Sequence, residues 1–405
     1  MKNKFIMLAA ITATVLFISF GCVKKDNLTS PAAAATPTPA LGTYSVPTAV
    51  PTDMSPSKIY GTAETESQAR ILNTSDGGYV VMSVIYGGSD GTFLAKTGSD
   101  GSLQWQRTYP DNLYEIIQTS DNGYILAGDG PVIFKVDSLG NSQWSVVHDP
   151  YTLGIEFDRT AGIADTSDGL VLADDKFNLI KVDYSGNPLW TYEENPGMGS
   201  ISMSGVEKLI KTGDGGFLMA GDLGGVNGYI DMHATKINSS GGLVFSRDYG
   251  TVAADFGTSC VESGGNYTIL GYTLSTGAYS YIYQVINASG NHIQQITSRG
   301  VYANEFDAAS DIIPSGDGNF IVTGIAAYYT GSDYIINLKV SKITMDFLTL
   351  WEKYYYLGNL SSYMNSRILR TGDGGYILGG TRNNAAGTDW QVFLMKLDSN
   401  GDKIW

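Results

Sequence analysis

The chain has 405 residues, 43% of them hydrophobic, which is enough for a sizeable core. Its formal net charge of −15 excludes a general affinity for nucleic acid, which needs a basic surface. Two cysteines (Cys22, Cys260) exclude a disulfide framework, and three histidines (His148, His233, His292) without metal-ligand spacing exclude a histidine-based metal centre.

Residues 1–22 resemble a bacterial lipoprotein signal. Lys2 and Lys4 give a basic start, residues 5–20 are apolar, and Gly21-Cys22 is similar to the end of a lipobox. Ser19 stands where Leu is usual and Phe20 where a small residue is usual. The resemblance implies a lipid on Cys22 and an extracytoplasmic chain anchored to the cell envelope. The apolar stretch is short for a spanning helix, which needs about 20 residues. Residues 23–55 are rich in Ala, Pro and Thr (PAAAATPTPA at 31–40), cannot bury a core and read as a flexible tether.

From residue 56 to 405 one pattern returns seven times. It reads TSDGGYVV at 74–81, TSDNGYIL at 119–126, TSDGLVL at 166–172 and TGDGGFLM at 212–219. It continues as ESGGNYTIL at 262–270, SGDGNFIV at 315–322 and TGDGGYIL at 371–378. Counted at Tyr79, Tyr124, Leu170, Phe217, Tyr267, Phe320 and Tyr376, the steps are 45, 46, 47, 50, 53 and 56 residues. Repeats of about 40–50 residues built from several strands predict a β-propeller. A second pattern follows each copy, as in FKVDSLGNSQW at 134–144 and LMKLDSNGDKIW at 394–405. Each repeat thus holds four short apolar runs, here a to d, separated by turn residues, which reads as a four-stranded antiparallel meander. Asp in the a–b turn can cap its own backbone, and Gly accepts the positive φ of a tight hairpin.

The fold class is therefore all-β: a seven-bladed β-propeller of four-stranded antiparallel blades. Trp105, Trp144, Trp190, Trp351 and Trp405, with Phe245 and Ile293 in their place elsewhere, are suited to filling the wedge between blades. SKIYG at 57–61 matches the tail SRDYG at 246–250 that other repeats carry after this aromatic, so the N-terminal strand is expected to join the last blade and close the ring. The repeats resemble those of quinoprotein-type propellers, and more closely the TSDGGY…KLDSNG…W repeats of bacterial secreted and envelope proteins. The resemblance covers residues 56–405 and implies architecture; such repeats serve many functions.

Features common to all repeats serve the repeat. The turn aspartates and 398–402 lack the terminal Glu of an EF-hand loop, so no metal is expected there. A Lys recurs in run c (Lys96, Lys135, Lys181, Lys236, Lys339, Lys396) and is expected to pair with a turn Asp. No cofactor motif occurs. The repeats differ nine positions before the marker aromatic: Arg70, Glu115, Lys208, Thr258, Asp311 and Arg367, with Gly162 in the shorter third repeat. If run a is innermost, these residues line the central channel, and Glu115 and Asp311 are the only candidates for acid/base chemistry. The growing steps imply longer connections in repeats five to seven, on the face shared by the b–c and d–a loops. Tyr279, Tyr328, Tyr329, Tyr334, Tyr355, Tyr356 and Tyr363 fall there, and tyrosine suits contact with a protein or a glycan.

Three readings follow. The first is a non-enzymatic, lipid-anchored envelope propeller that binds a protein or glycan through its long-loop face. The second is a scaffold subunit of an envelope assembly complex. The third is a hydrolase or lyase sited in the channel. A quinone-dependent dehydrogenase is disfavoured, because the adjacent cysteines that often floor such a site are absent.

Overall fold

The computed structural model describes residues 58–87, 90–148, 153–194, 205–224, 229–275, 278–299, 306–329, 334–356, 366–383 and 390–405. The signal at 1–22, with Cys22, and the tether at 23–55 lie outside the described residues.

Strand β1 (Lys58–Tyr60) precedes the first blade. Blade one is β2 (Thr65–Asn73), β3 (Tyr79–Tyr86), β4 (Gly91–Thr97) and β5 (Leu103–Tyr109). Blade two is β6 (Leu113–Gln118), β7 (Tyr124–Gly128), β8 (Val132–Val136) and β9 (Ser142–Val147). Blade three is β10 (Thr160–Thr166), β11 (Gly169–Asp174), β12 (Leu179–Val182) and β13 (Pro188–Tyr192). Blade four is β14 (Gly205–Lys211), β15 (Phe217–Gly224), β16 (Ile230–Ile237) and β17 (Leu243–Tyr249). Blade five is β18 (Ala254–Ser263), β19 (Asn266–Ser275), β20 (Ala278–Asn287) and β21 (His292–Arg299). Blade six is β22 (Phe306–Pro314), β23 (Phe320–Tyr329), β24 (Tyr334–Ile343) and β25 (Thr349–Tyr356). Blade seven is β26 (Arg367–Arg370), β27 (Tyr376–Asn383) and β28 (Trp390–Leu397), completed by β1. Within every blade the strands pair antiparallel in chain order, and one parallel pairing, Tyr279 with Phe306, links blades five and six.

The first strands touch one another all the way round, β2 to β6, β10, β14, β18, β22, β26 and back to β2, so they are innermost. Closure uses both ends of the ring. Lys58–Tyr60 pair with Leu394, Phe393 and Val392, while the Ile404 amide donates to the Lys396 carbonyl and the Lys396 amide to the Trp405 carbonyl. Trp405 and β1 thereby share the fourth-strand position of blade seven. In blade one Trp105 faces Lys96 and Tyr109 faces Thr92; in blade seven Trp405 faces Lys396 and Tyr60 faces Val392.

The core is seven wedges, one per blade interface. Side chains alternate across a strand, so successive residues of β3 serve two interfaces. Tyr79 and Val81 pack with Val392 and Leu394 of blade seven, whereas Val80 and Met82 pack with Tyr124 and Leu126 of blade two. Second strands are buried on both faces, and fourth strands are largely exposed. Each Trp seals a wedge. Trp105 meets Tyr124 edge-on at 6.2 Å, and Trp405 meets Tyr79 at 6.3 Å. The same indoles lie on a glycine of the next c–d turn: a Cβ at Gly140 would stand 2.8 Å from Trp105, and one at Gly401 2.6 Å from Trp351.

One expectation is corrected. In blades five and six the added residues lengthen strands more than connections: β19, β20, β23 and β24 each have ten residues, and only 276–277 join β19 to β20. Aromatic and β-branched residues such as TILGYTLS extend the ladder because they fit a pleated, half-buried surface. The two longest connections lie in earlier repeats, at 148–159 and 193–204, while the next longest, 357–366, leads into repeat seven and falls where the longer connections were expected. Among the described residues no helix is long and apolar enough to cross a membrane.

Candidate functional site

The inner strands bring charges from different blades to the axis. Arg70 Nε lies 2.5 Å from Glu115 Oε1, joining blades one and two. Lys208 Nζ lies 3.2 Å from Asp311 Oδ1, and Arg367 Nη2 donates to the Glu207 carbonyl at 2.9 Å. These last two contacts join blade four to blades six and seven, so they cross the axis. A backbone device aims the residues. Six inner strands slip register by one residue next to the axial position, between Ser67 and Arg70, Leu113 and Glu115, Thr160 and Gly162, Val206 and Lys208, Gly257 and Ser259, and Ala309 and Asp311. Such bulges bend a strand and re-aim its side chains.

Asp311 is the most enclosed of the set, with its side chain 1% exposed. Its carboxylate accepts from Ser259 Oγ at 2.7 Å and from the Ile368 amide at 3.2 Å. Burial would raise this carboxyl, but Lys208, Arg367, Ser259 and the Ile368 amide outweigh it and hold it below the usual range. Burial raises the Glu207 carboxyl against the pull of Arg367, Arg70 and Arg159. Burial pushes the Cys260 thiol up to about 12, so it stays neutral and unreactive. The axis is a set of mutually satisfied charges. Glu115 and Asp311 are each committed to a cation, which is the arrangement of a bolt more than of an acid/base pair.

Glu207, in the bulge, and Ser259 are axial residues that the nine-position count does not reach. Blade five turns through Gly264-Gly265 alone, so its inner strand counts one residue closer and Ser259, not Thr258, occupies the axial position. The short turn is visible in the sequence, as it is for Gly162.

The recurrent lysine pairs with the turn aspartate of its own blade. Lys96–Asp76 is 2.9 Å, Lys135–Asp121 2.9 Å, Lys181–Asp168 2.7 Å, Lys236–Asp214 3.0 Å and Lys396–Asp373 2.8 Å. In blade six the partner of Asp317 is Lys342 at 2.7 Å, not Lys339. Lys339 lies instead 3.0 Å from Glu352 and 3.4 Å from Asp307, between the Tyr281 and Tyr354 rings. Blade five has neither member: its turn is Ser-Gly-Gly-Asn, and Val285 stands opposite Thr268 where other blades have the lysine. Among the described residues no cluster of His, Cys, Asp and Glu is gathered to hold a metal ion.

The two faces of the ring differ. Connections on the a–b and c–d face are two to five residues long, while those on the b–c and d–a face run from two to twelve. The strand bounds put Tyr279, Tyr328, Tyr329, Tyr334, Tyr355 and Tyr356 at strand ends of the second face, not in loops, and Tyr363 lies outside the described residues. Tyr279 packs against the Tyr272 ring at 5.7 Å. The Tyr355 hydroxyl donates to the Gly401 carbonyl of the next blade. Its counterparts do the same: Tyr60 to Gly101 at 2.6 Å, Tyr109 to Gly140 at 2.7 Å and Tyr249 to Gly290 at 2.8 Å. This interblade latch stands four residues after the aromatic of the outer strand, as Tyr109 stands after Trp105.

At the same position blade three has Glu194, whose carboxylate accepts from Thr235 Oγ1 at 2.8 Å and Ser246 Oγ at 2.9 Å in blade four. Ser246 Oγ also lies 3.1 Å from His233 Nε2, and His233 Nδ1 lies 2.6 Å from Asp248. The order Ser–His–Asp is that of a hydrolase triad, but the serine proton is engaged by Glu194. The group reads as a polar latch between blades three and four.

The architecture defines a seven-bladed β-propeller. No protein-family model matches the chain, and no curated protein does. Among solved structures it resembles a protein of unknown function from Bacteroides caccae, at 12% identity and TM-score 0.45 over 69% of this chain and 91% of that one. It also resembles BamB from Moraxella catarrhalis, at 11% identity and TM-score 0.43 over 81% and 99%. A third is BBS1N in complex with ARL6DN, at 12% identity and TM-score 0.49 over 84% and 94%. Likeness at this level says nothing about what the chain binds.

Proposed function

We propose that this chain is a non-enzymatic, lipid-anchored envelope propeller that binds a macromolecular partner, a protein before a glycan, through its b–c and d–a face. The observation that carries the reading is the inequality of the two faces. One is built from near-identical tight turns, in which the a–b aspartates of six blades are spent on lysines and Asp100, Asp137, Asp183 and Asp398 of the c–d turns cap their own loops. The other varies in every blade, and variation on a rigid scaffold is where recognition resides. Its connections hold thirteen acidic residues against Arg159 and Lys176, ten of the acids between residues 64 and 194. That charge steers a basic protein towards the face more readily than a neutral sugar. The lipid on Cys22 and the tether at 23–55 would hold the ring at a membrane surface.

The test is capture from an envelope extract with the full chain as bait. Tyr328→Ala with Tyr329→Ala, and Glu156→Gln with Asp158→Asn, are expected to lose the captured protein at unchanged melting temperature. Asp100→Asn, on the opposite face, is expected to retain it. Capture that survives both changes on the proposed face removes the reading. A partner recovered in stoichiometric amount through every wash would favour the scaffold-subunit form of the same function.

A further inference from the structure

The interblade latch has one member whose chemistry differs while its place and acceptor do not. His148 stands four residues after Trp144, where Tyr109 follows Trp105, and its ring lies beside the Gly186 carbonyl of blade three. Gly186 is the positive-φ glycine of that c–d turn (φ 85°), the counterpart of Gly140 (φ 77°). The ring is half-buried, and its Nε2 is sealed from solvent without a hydrogen-bond partner.

We infer that the seam between blades two and three is an acid-labile joint of the ring, which loosens when the His148 imidazole takes a second proton. A neutral imidazole has one N–H to offer the Gly186 carbonyl. The second proton would put an N–H and a positive charge where the other nitrogen finds no acceptor, and an unmet buried donor is costly. At the tyrosine latches burial pushes the Tyr60, Tyr109, Tyr249 and Tyr355 hydroxyls up, so they carry no charge change below neutral pH.

The surroundings offer the imidazolium no partner among the described residues. From blade three, Asp183 turns in on its own loop, accepting from the Ser185 and Asn187 amides and from Asn187 Nδ2. In blade two the His148 amide donates to the Pro131 carbonyl, and Asp129 bridges Arg159 through the backbone. Along the 153–159 segment, Arg159 lies 3.6 Å from Asp175, and Lys176 lies 3.9 Å from Glu156 and 3.4 Å from Asp158. Asp149 lies outside the described residues. Burial lowers the His148 pKa and the Gly186 bond opposes this only in part. An open seam therefore binds more protons than a closed one as pH falls through the ordinary histidine range, and closure loses stability in that direction.

The experiment is hydrogen exchange on the full chain at about pH 7.5 and about pH 5, corrected for intrinsic rates. Amides of β9 and of the 183–187 turn are expected to lose protection in acid. Those of β5 and the 137–141 turn, across a tyrosine latch, are expected to keep it. His148→Tyr should abolish the acid loss, and His148→Gln, neutral at both pH values, should do so even if the phenol does not fit. The same loss in both variants, or a gain of protection in the unaltered chain, would overturn the proposal.

Discussion

At the scale of single residues the Asp–Lys clasp shows what a repeat conserves within one chain. Lys236 is fully buried, and its ammonium reaches Asp214 and the Ile237 carbonyl. Asp214→Ala would leave a buried ammonium without its carboxylate and is expected to cost about 1–3 kcal/mol in urea unfolding. Adding Lys236→Met should recover most of that loss, since blade five lacks both members and still folds in register. The clasp also sets an acid limit. Partner hydroxyls, lysines and amides hold Asp76, Asp121, Asp214 and Asp373 down to about 2 against the effect of burial. Their contribution is present above the unfolded carboxylate range and is lost as pH falls from 3.8 to about 2, so circular dichroism should show cooperative acid unfolding in that window. The clasp was legible in the sequence from the recurrence of Asp and Lys. Lys339 was not separable from Lys342, because a run with two lysines does not declare which one the longer β24 sets opposite Ile321.

At the scale of strands and turns, blades are joined by a ring on a glycine and a hydroxyl on its carbonyl. Tyr109→Phe deletes the 2.7 Å bond to Gly140 and keeps the packing against Phe134, so a loss of about 0.5–1.5 kcal/mol is expected in chemical denaturation. Gly401→Ala meets two obstacles, a φ of 81° and a Trp351 ring 2.6 Å from the new Cβ. A cost of about 1–3 kcal/mol, read as a lowered urea midpoint, is expected. The tyrosine spacing was present in the sequence, but its acceptor belongs to the next blade, and a single strand does not reveal its neighbour across a wedge. Connection lengths were hidden for a related reason. Repeat length sums strands and loops, so the short β11 and β12 masked the long segments at 148–159 and 193–204.

For the molecule as a whole, the axis does what the wedges cannot. Wedges join neighbours, while Lys208–Asp311 and Arg367–Glu207 tie blade four to blades six and seven. Asp311→Asn would leave Lys208 and Arg367 facing a neutral amide in an enclosed site, and losing one side of a buried pair costs about 3–5 kcal/mol. Calorimetry should show the loss as a lower midpoint of one shared transition. Separate transitions would mean that the axial contacts do not couple the blades. The inner position of these residues was readable from their offset to the marker aromatic. The bulge that turns them inward was not, because it is a property of pairing and not of composition.

The shared outer strand of blade seven has a consequence for the order of assembly. Its partners, Lys58 and Leu394, are separated by more than three hundred positions, and the ribosome makes one long before the other. Throughout that interval the growing arc has a free flank at each end, with ladder groups open to any passing strand. Closure of the ring requires β28, so a chain that stops short of residues 392–394 leaves β1 without its partner. A stalled or clipped chain would therefore remain an adhesive crescent, not a slightly smaller ring.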